Sequence, residues 1–226
     1  MNYQVLIVDD HPLYRLALKG AVEAACTNCQ IVEADSVGAL FDALDRHPRV
    51  DLLLLDLNLP GAYGFNALAH LRGSRPELPI VVVSASDDAR TVRQALAFGA
   101  QSFVSKSADA AAIGASVRAV LRGEVATPPG LAHDRDHSPA ADDGALEIAQ
   151  RVAQLTPQQF RVLGMVCAGR LNKQIGDDLQ ITEATVKAHM TVILRKLGAS
   201  NRTQAALLAG RLARDSEIKP LPEGIE

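Results

Sequence analysis

The first half of the chain carries short apolar runs that each stop at a polar residue. Residues 3–8 (Tyr-Gln-Val-Leu-Ile-Val) run into Asp9 and Asp10. Leu52 to Leu55 run into Asp56, and Pro60 and Gly61 come soon after. Residues 80–83 (Ile-Val-Val-Val) end at Ser84, and Ser102-Phe103-Val104 leads to Lys106. Unbroken apolar runs of this length suit strands buried on both faces. A further short strand is expected over 30–34. Helical spacing fills the gaps. One helix is predicted over 12–25, with Leu13, Leu16, Ala17, Gly20 and Ala21 inward. A second is predicted over 37–46, capped by Ser36, with Val37, Leu40, Phe41 and Leu44 inward. A third covers 64–72, with Phe65, Leu68 and Leu71 inward. A fourth opens at Ser86 or Asp87 and stops at Gly99, and a fifth covers 108–122 with Ile113, Val117, Val120 and Leu121 buried. Strand and helix therefore alternate five times. The expected result is an α/β doubly wound, five-stranded parallel sheet with helices on both faces and right-handed crossovers.

The pattern breaks over 123–150. Pro128, Pro129, Gly130, Pro139 and Gly144 stand among Asp134, Asp136, Asp142 and Asp143. This reads as an acidic linker, with a short helix over 145–153 opening the second domain. His133 and His137 lie in that linker, and a solvated polar stretch explains them better than a metal site. Beyond it the period is helical throughout. Thr156-Pro157 is a helix start, and Phe160, Leu163, Val166 and Cys167 share a face up to Gly169. Asn172 opens a short helix over 173–179. Thr182 caps a longer one through Leu197, closed by Gly198. Asn201 and Gln204 suit a cap for a last helix over about 201–213, with Ala205, Leu208 and Leu212 inward. This is an all-α four-helix unit.

Charge separates the two halves. The whole chain carries −3, but residues 151–214 hold ten basic residues against three acidic ones. A basic excess confined to one segment points to a polyanion partner for that segment. The predicted helix 183–197 divides into an apolar side (Val186, Met190, Ile193, Leu194, Leu197) and a side bearing Lys187, Thr191 and Arg195 at i, i+4, i+8. With the short helix and tight turn before it, this reads as a helix-turn-helix. No stretch is long and apolar enough for a membrane span. The first apolar run meets two aspartates at once, unlike a signal peptide, so a cytoplasmic protein is expected. Three cysteines do not suggest a disulfide framework. Cys26 and Cys29 form a Cys-x-x-Cys without visible partners, and Cys167 reads as a core residue.

In a parallel sheet, Asp9, Asp10, Asp56, Ser84 and Lys106 all fall on the edge where strands end, the edge at which open α/β sheets bind ligands. Three crowded carboxylates call for a divalent cation, and all-oxygen donors favour Mg²⁺. A carboxylate, a hard ion, a lysine and a hydroxyl together make a phosphoryl-acceptor site. These residues resemble the receiver domain of bacterial two-component response regulators, over roughly residues 1–122, which implies a flavodoxin-like fold. The resemblance implies that Asp56 is phosphorylated. It implies that Asp9, Asp10, Asp56 and the Asn58 backbone carbonyl serve Mg²⁺. It makes Ser84 the switch hydroxyl, Phe103 a switch aromatic that turns inward, and Lys106 the phosphate-pairing lysine.

The run from Leu155 to Ala206 is similar to the LuxR-type four-helix DNA-binding domain. It includes Leu-Thr-Pro, Asn172-Lys173-Gln174-Ile175, Thr185-Val186-Lys187-Ala188-His189, Arg195-Lys196-Leu197 and Asn201-Arg202-Thr203-Gln204-Ala205. With the receiver, the chain resembles NarL/FixJ-type response regulators. The implied division is a receiver over 1–122, a linker over 123–150, a DNA-binding domain over 151–214 and a tail over 215–226. The resemblance implies that Lys187, Ala188 and Thr191 face base edges. Asn172, Lys173, Thr182, Thr185, Arg195, Lys196 and Arg202 would contact phosphates, and the last helix would form the dimer contact. The implied partners are a sensor histidine kinase, double-stranded DNA, a second copy of the phosphorylated chain and RNA polymerase, with no membrane and no enzymatic turnover. Gln158 and Gln159 replace a common Arg-Glu pair, Gly176 replaces a common alanine, and Thr191 stands where some relatives carry lysine.

Two competing readings use the same residues. An aspartyl-nucleophile phosphatase would also place Asp56 beside Mg²⁺, but it would want an acid two residues on, where Asn58 stands. A receiver could also act without phosphate, as an interaction module. Before phosphorylation the receiver is expected to cover part of helix 183–197.

Overall fold

The computed structural model describes residues 2–126 and 143–213. In the first half, β1 (Tyr3–Val8), β2 (Cys29–Ala34), β3 (Leu52–Asp56), β6 (Ile80–Ser84) and β7 (Ser102–Ser105) form one parallel sheet. Its order is β2-β1-β3-β6-β7. Between them run α1 (Pro12–Ala25), α2 (Val37–Arg46), α3 (Asn66–Ser74), α4 (Ala89–Ala97) and α5 (Ala110–Leu121). β3 and β6 are buried along their whole length, as their unbroken apolar runs require. Residues after Asp56 add a small antiparallel hairpin, β4 (Asn58–Leu59) and β5 (Ala62–Tyr63), where the apolar pattern predicts only a loop.

Local chemistry explains most of the helix starts. The Ser36 side chain accepts from the Ala39 N–H, and Asp109 caps α5 in the same way. α4 begins later than predicted. Asp88, not Ser86 or Asp87, accepts the Thr91 N–H at 2.9 Å, and its other oxygen takes the Ser86 and Thr91 hydroxyls. α1 corrects a second expectation. Leu18, Ala21 and Val22 are buried, whereas Leu13 and Leu16 are 84% and 65% exposed and Ala17 and Gly20 lie open. This helix has apolar residues on two faces, and spacing alone does not choose between them. Cys26 caps the end of α1 and Cys29 opens β2; the turn between them brings the two Cα atoms to 5.7 Å, and the sulfurs are joined as a disulfide, a pairing the cysteine count does not suggest.

The second half holds α6 (Asp143–Ala153), α7 (Pro157–Cys167), α8 (Asn172–Leu179), α9 (Glu183–Leu197) and α10 (Arg202–Gly210). Thr156 and Gln159 make a reciprocal capping box, and Thr182 and Asn201 cap α9 and α10. Gly198 closes α9 in the left-handed conformation. The histidines of the predicted linker, His133 and His137, lie outside the described residues.

One apolar cluster runs through both halves. Phe41 of α2, His70 of α3 and Phe160 of α7 form its junction. The His70 ring stacks on Phe160 at 4.6 Å and meets Phe41 edge-on at 5.2 Å. Arg161 crosses the same seam to Asp42 at 2.5 Å and to the Gly38 carbonyl. Two glycines permit the close approach. A Cβ on Gly164 would overlap the Gly61 carbonyl oxygen, and one on Gly73 would overlap the Ala153 carbonyl. The receiver half therefore covers α6, α7 and the end of α10. It leaves open the basic face of α9, the helix it is expected to cover in part: Lys187, Ala188, Thr191 and Arg195 are all exposed. The seam forms where apolar side chains outside the basic face are available, and that face is charged and exposed.

Candidate functional site

The sheet places the predicted pocket residues together. Asp9 follows β1, Asp56 ends β3, Ser84 ends β6, and Lys106 follows β7. Asp9, Asp56 and Ser84 are buried. Lys106 crosses the sheet edge, its Nζ 2.6 Å from Asp9 Oδ2 and 2.9 Å from Asp56 Oδ2. The Asp56 Oδ1 atom accepts the Asn58 N–H at 3.1 Å, and Asp9 Oδ1 accepts the His11 N–H at 2.8 Å. Ser84 Oγ accepts the Ser86 N–H at 3.3 Å. One ammonium thus serves two buried carboxylates.

The electrostatics reflect that shortage of positive charge. Burial raises the pKa of Asp56, Lys106 opposes this, and the neighbouring Asp9 charge adds to the rise. For Lys106, burial would lower the pKa, but hydrogen bonds and charges from Asp9 and Asp56 outweigh it and raise it. Tyr14, one turn into α1, is pushed up to about 12 by burial and by the charges of Asp9 and Asp56. Its ring lies under the Lys106 ammonium at 4.9 Å. Tyr14 and His11 line the pocket, and the apolar pattern does not single them out. Their signal in the sequence is adjacency to the acidic pair: His11 Nδ1 sits 2.7 Å from Asp10 Oδ1.

The donor set fits a hard cation. Ligand atoms of Asp9, Asp10, His11 and Asp56 all lie within 4.8 Å of one another. The buried Asn58 Oδ1 has no hydrogen-bond partner among the described residues. Carboxylate-rich oxygen donors with excess negative charge suit an ion such as Mg²⁺. Phe103 is already buried in β7.

The second half presents the other predicted residues on two kinds of surface. Lys173, Thr182, Lys187, Ala188, Thr191 and Arg195 are exposed, and Thr185 is half-buried beside Thr182. Lys187 pairs with Glu183 at 2.8 Å. Lys196 and Arg202 instead turn into the domain. Lys196 Nζ donates to the Gln154 carbonyl and to Gln159 Oε1, both at 2.8 Å. Arg202 donates to Asn172 Oδ1 at 3.0 Å and to the Arg170 carbonyl. Both cations tie helices together, and Asn172 is occupied with Arg202. Gly176 packs under the turn: a Cβ there would lie 2.8 Å from the Ile181 carbonyl, which explains glycine at this position.

Comparison with known proteins agrees with both halves. The response regulator receiver domain family matches residues 5–118, and the family of bacterial regulatory proteins of the luxR type matches residues 153–209. The chain is 37% identical to a glycerol metabolism activator of Pseudomonas putida, over 92% of this chain and 95% of that one. It is 32% identical to the nitrate/nitrite response regulator protein NarL of Escherichia coli K12, over 90% of this chain and 93% of that one. A structure of RcsB from Salmonella enterica serovar Typhimurium bound to a promoter shares the fold, with a TM-score of 0.53, 21% identity, and coverage of 92% of this chain and 98% of that one. This chain belongs to the NarL/FixJ-type response regulators, transcription regulators that join a receiver domain to a LuxR-type DNA-binding domain.

Proposed function

We propose that Asp56 accepts a phosphoryl group from the phosphohistidine of a sensor histidine kinase, and that phosphorylation turns the chain into a dimer that binds double-stranded DNA through α9. The observation that carries this is the Lys106 ammonium shared between Asp9 and Asp56 at the sheet edge. Lys106 favours the anionic form of Asp56, whose carboxylate oxygen attacks phosphorus. The N–P bond breaks, and imidazole leaves. Lys106 and the Ser84 hydroxyl are then placed to meet the new phosphoryl oxygens. Asp9, Asp10, Asp56 and the Asn58 carbonyl would hold Mg²⁺, which when bound neutralises charge on the transferring group. The site is an acceptor without turnover of its own. The expected setting is the cytoplasm, where kinase output and DNA meet. The domain bounds are those expected from the sequence, 1–122 and 151–214, with α6 reaching back into the linker.

The covered end of α10 supports a particular switch. The Phe65 N–H donates to the Leu212 carbonyl at 2.9 Å, and Asn66 Nδ2 donates to the Ala209 carbonyl at 3.0 Å. Both residues come directly after the hairpin that leaves Asp56. In this reading the resting receiver restrains the dimer helix and leaves the base-reading face free. Phosphorylation shifts the equilibrium toward release.

The test is anisotropy of the full chain on a fluorescent duplex selected from a random pool, with Mg²⁺, with and without acetyl phosphate. Wild type should tighten about tenfold or more, the scale of ordinary allosteric coupling, and Asp56→Asn should not respond. An equal response of Asp56→Asn would refute the reading.

A further inference from the structure

On the exposed face of α9, Lys187, Thr191 and Arg195 succeed one another at one-turn spacing, with Ala188 beside them. Lysine and arginine on this face carry charge to phosphates or to guanine acceptors. Thr191 differs. Its hydroxyl donates to the Lys187 carbonyl at 3.1 Å, one turn back along its own helix. A threonine in a helix commonly closes this bond, and its rigid β-branch then fixes where the methyl stands. In that bond the hydroxyl proton faces the helix's own backbone. What Thr191 offers to a partner is its methyl group, and Ala188, three residues earlier on the same face, offers another.

Resting on the proposed DNA-binding role, we propose that Thr191 is a specificity-determining residue that reads the C5-methyl group of thymine by apolar contact, with Ala188 as the second wall of that contact. In the major groove the thymine methyl is the one apolar mark on a base pair, and small apolar side chains are its natural reader. The pair sits between two cations, so the surface has an apolar centre with basic flanks. While that bond is kept, the hydroxyl donates neither to the guanine O6 or N7 acceptors nor to thymine O4. It retains only lone pairs, which leaves acceptance from an adenine or cytosine amino group as the competing chemistry. The operator half-site is thus expected to hold an obligatory thymine opposite the middle of α9, and to tolerate 5-methylcytosine there better than cytosine.

The experiment uses the full chain with Mg²⁺ and acetyl phosphate, and duplexes selected from a random pool. Each conserved thymine of the selected half-site is replaced singly by deoxyuridine, which removes the methyl and nothing else. Wild type should lose about three- to fivefold in affinity at one or two positions, the worth of one buried methyl group. Thr191→Val keeps the methyl and drops the hydroxyl, so it should keep this discrimination. Thr191→Ser keeps the hydroxyl and drops the methyl, so it should lose it at one position, as should Thr191→Ala. Discrimination retained by Thr191→Ser and lost by Thr191→Val would overturn the proposal in favour of a hydroxyl contact. Equal affinity for thymine and deoxyuridine at every position would also overturn it while leaving the DNA-binding role intact. Failure of the pool to enrich any sequence would count against that role itself.

Discussion

The backbone N–H of Phe65 donates to the carbonyl oxygen of Leu212 at 2.9 Å. Phe65 comes just after the hairpin that begins next to Asp56, and Leu212 lies just past the last turn of α10. A short segment of chain therefore joins the acceptor carboxylate to the helix expected to dimerise. A shift of the β4–β5 hairpin on phosphorylation needs no long path to reach the second domain.

The seam depends on two backbones meeting without side chains. A Cβ on Gly164 would overlap the Gly61 carbonyl, and backbone cannot yield as a flexible side chain can. Gly164→Ala leaves α7 intact or better formed, since alanine is the stronger helix former. The cost of overpacking, about 1–3 kcal/mol, falls on the closed arrangement. Small-angle scattering should show a larger radius of gyration for the unphosphorylated variant, and its dimerisation should need less phosphodonor. An unchanged scattering profile would mean that the domains part with no help from this contact.

His70 makes the seam sensitive to acid. Burial pulls its pKa down to about 4, against an ordinary value of 6.5, with the Val152 carbonyl opposing and the Lys196 charge adding to the fall. The folded chain therefore binds the proton less readily than the unfolded or opened one. Stability is accordingly full above about pH 6.5, falls as the pH drops toward 4, and levels off below. The fall from 6.5 to about 4 corresponds to roughly 3–4 kcal/mol at most. His70→Phe keeps an aromatic ring between Phe41 and Phe160. It should flatten the dependence of urea-denaturation midpoint on pH between 4 and 6.5, which the wild type should show.

Lys106 holds two buried carboxylates, so removing it leaves them facing each other. Lys106→Met should destabilise the chain by roughly 3 kcal/mol in the absence of divalent ions, the scale for breaking a buried ion pair. Mg²⁺ should restore more stability to the variant than to wild type, because it replaces a cation that competes for the same oxygens. Thermal denaturation with and without Mg²⁺ measures both. Equal Mg²⁺ stabilisation of the two proteins would place the ion away from these carboxylates.

Gln159 closes the α7 capping box and accepts from Lys196 at 2.8 Å, where a common relative of this pattern carries glutamate. Gln159→Glu makes that bond charge-assisted and keeps the box. It should raise the melting temperature by a few degrees, equivalent to about 1 kcal/mol. A lower melting temperature would show that burying the carboxylate outweighs its new pair.

The acceptor pocket is legible in the sequence because its grammar is local. A strand buried on both faces must be an unbroken apolar run, so the polar residue that ends it is conspicuous, and parallel pairing puts those ends on one edge. Asp9, Asp56, Ser84 and Lys106 fall where that reasoning places them. Caps at Ser36, Thr156, Thr182 and Asn201 are legible for the same reason. The α1 face is not, because Leu13 and Leu16 offer a second apolar stripe as good as the buried one. The hairpin of two-residue strands is too short to carry a period. Lys196 and Arg202 read as surface cations, since nothing in spacing shows that their partners lie 37 to 42 residues back for Lys196 and 30 to 32 for Arg202. The seam is hidden most fully. Phe160 reads as part of an apolar helix face and nothing in the spacing singles out His70, and only the placement of one domain on the other shows that they stack.

The central claim is that phosphorylation of Asp56 changes the association of the chain. Sedimentation of the full-length protein with Mg²⁺, with and without acetyl phosphate, beside Asp56→Asn, tests it most directly. A shift from monomer to dimer is predicted in wild type alone. A dimer that forms equally without phosphodonor, or equally in Asp56→Asn, would contradict the claim.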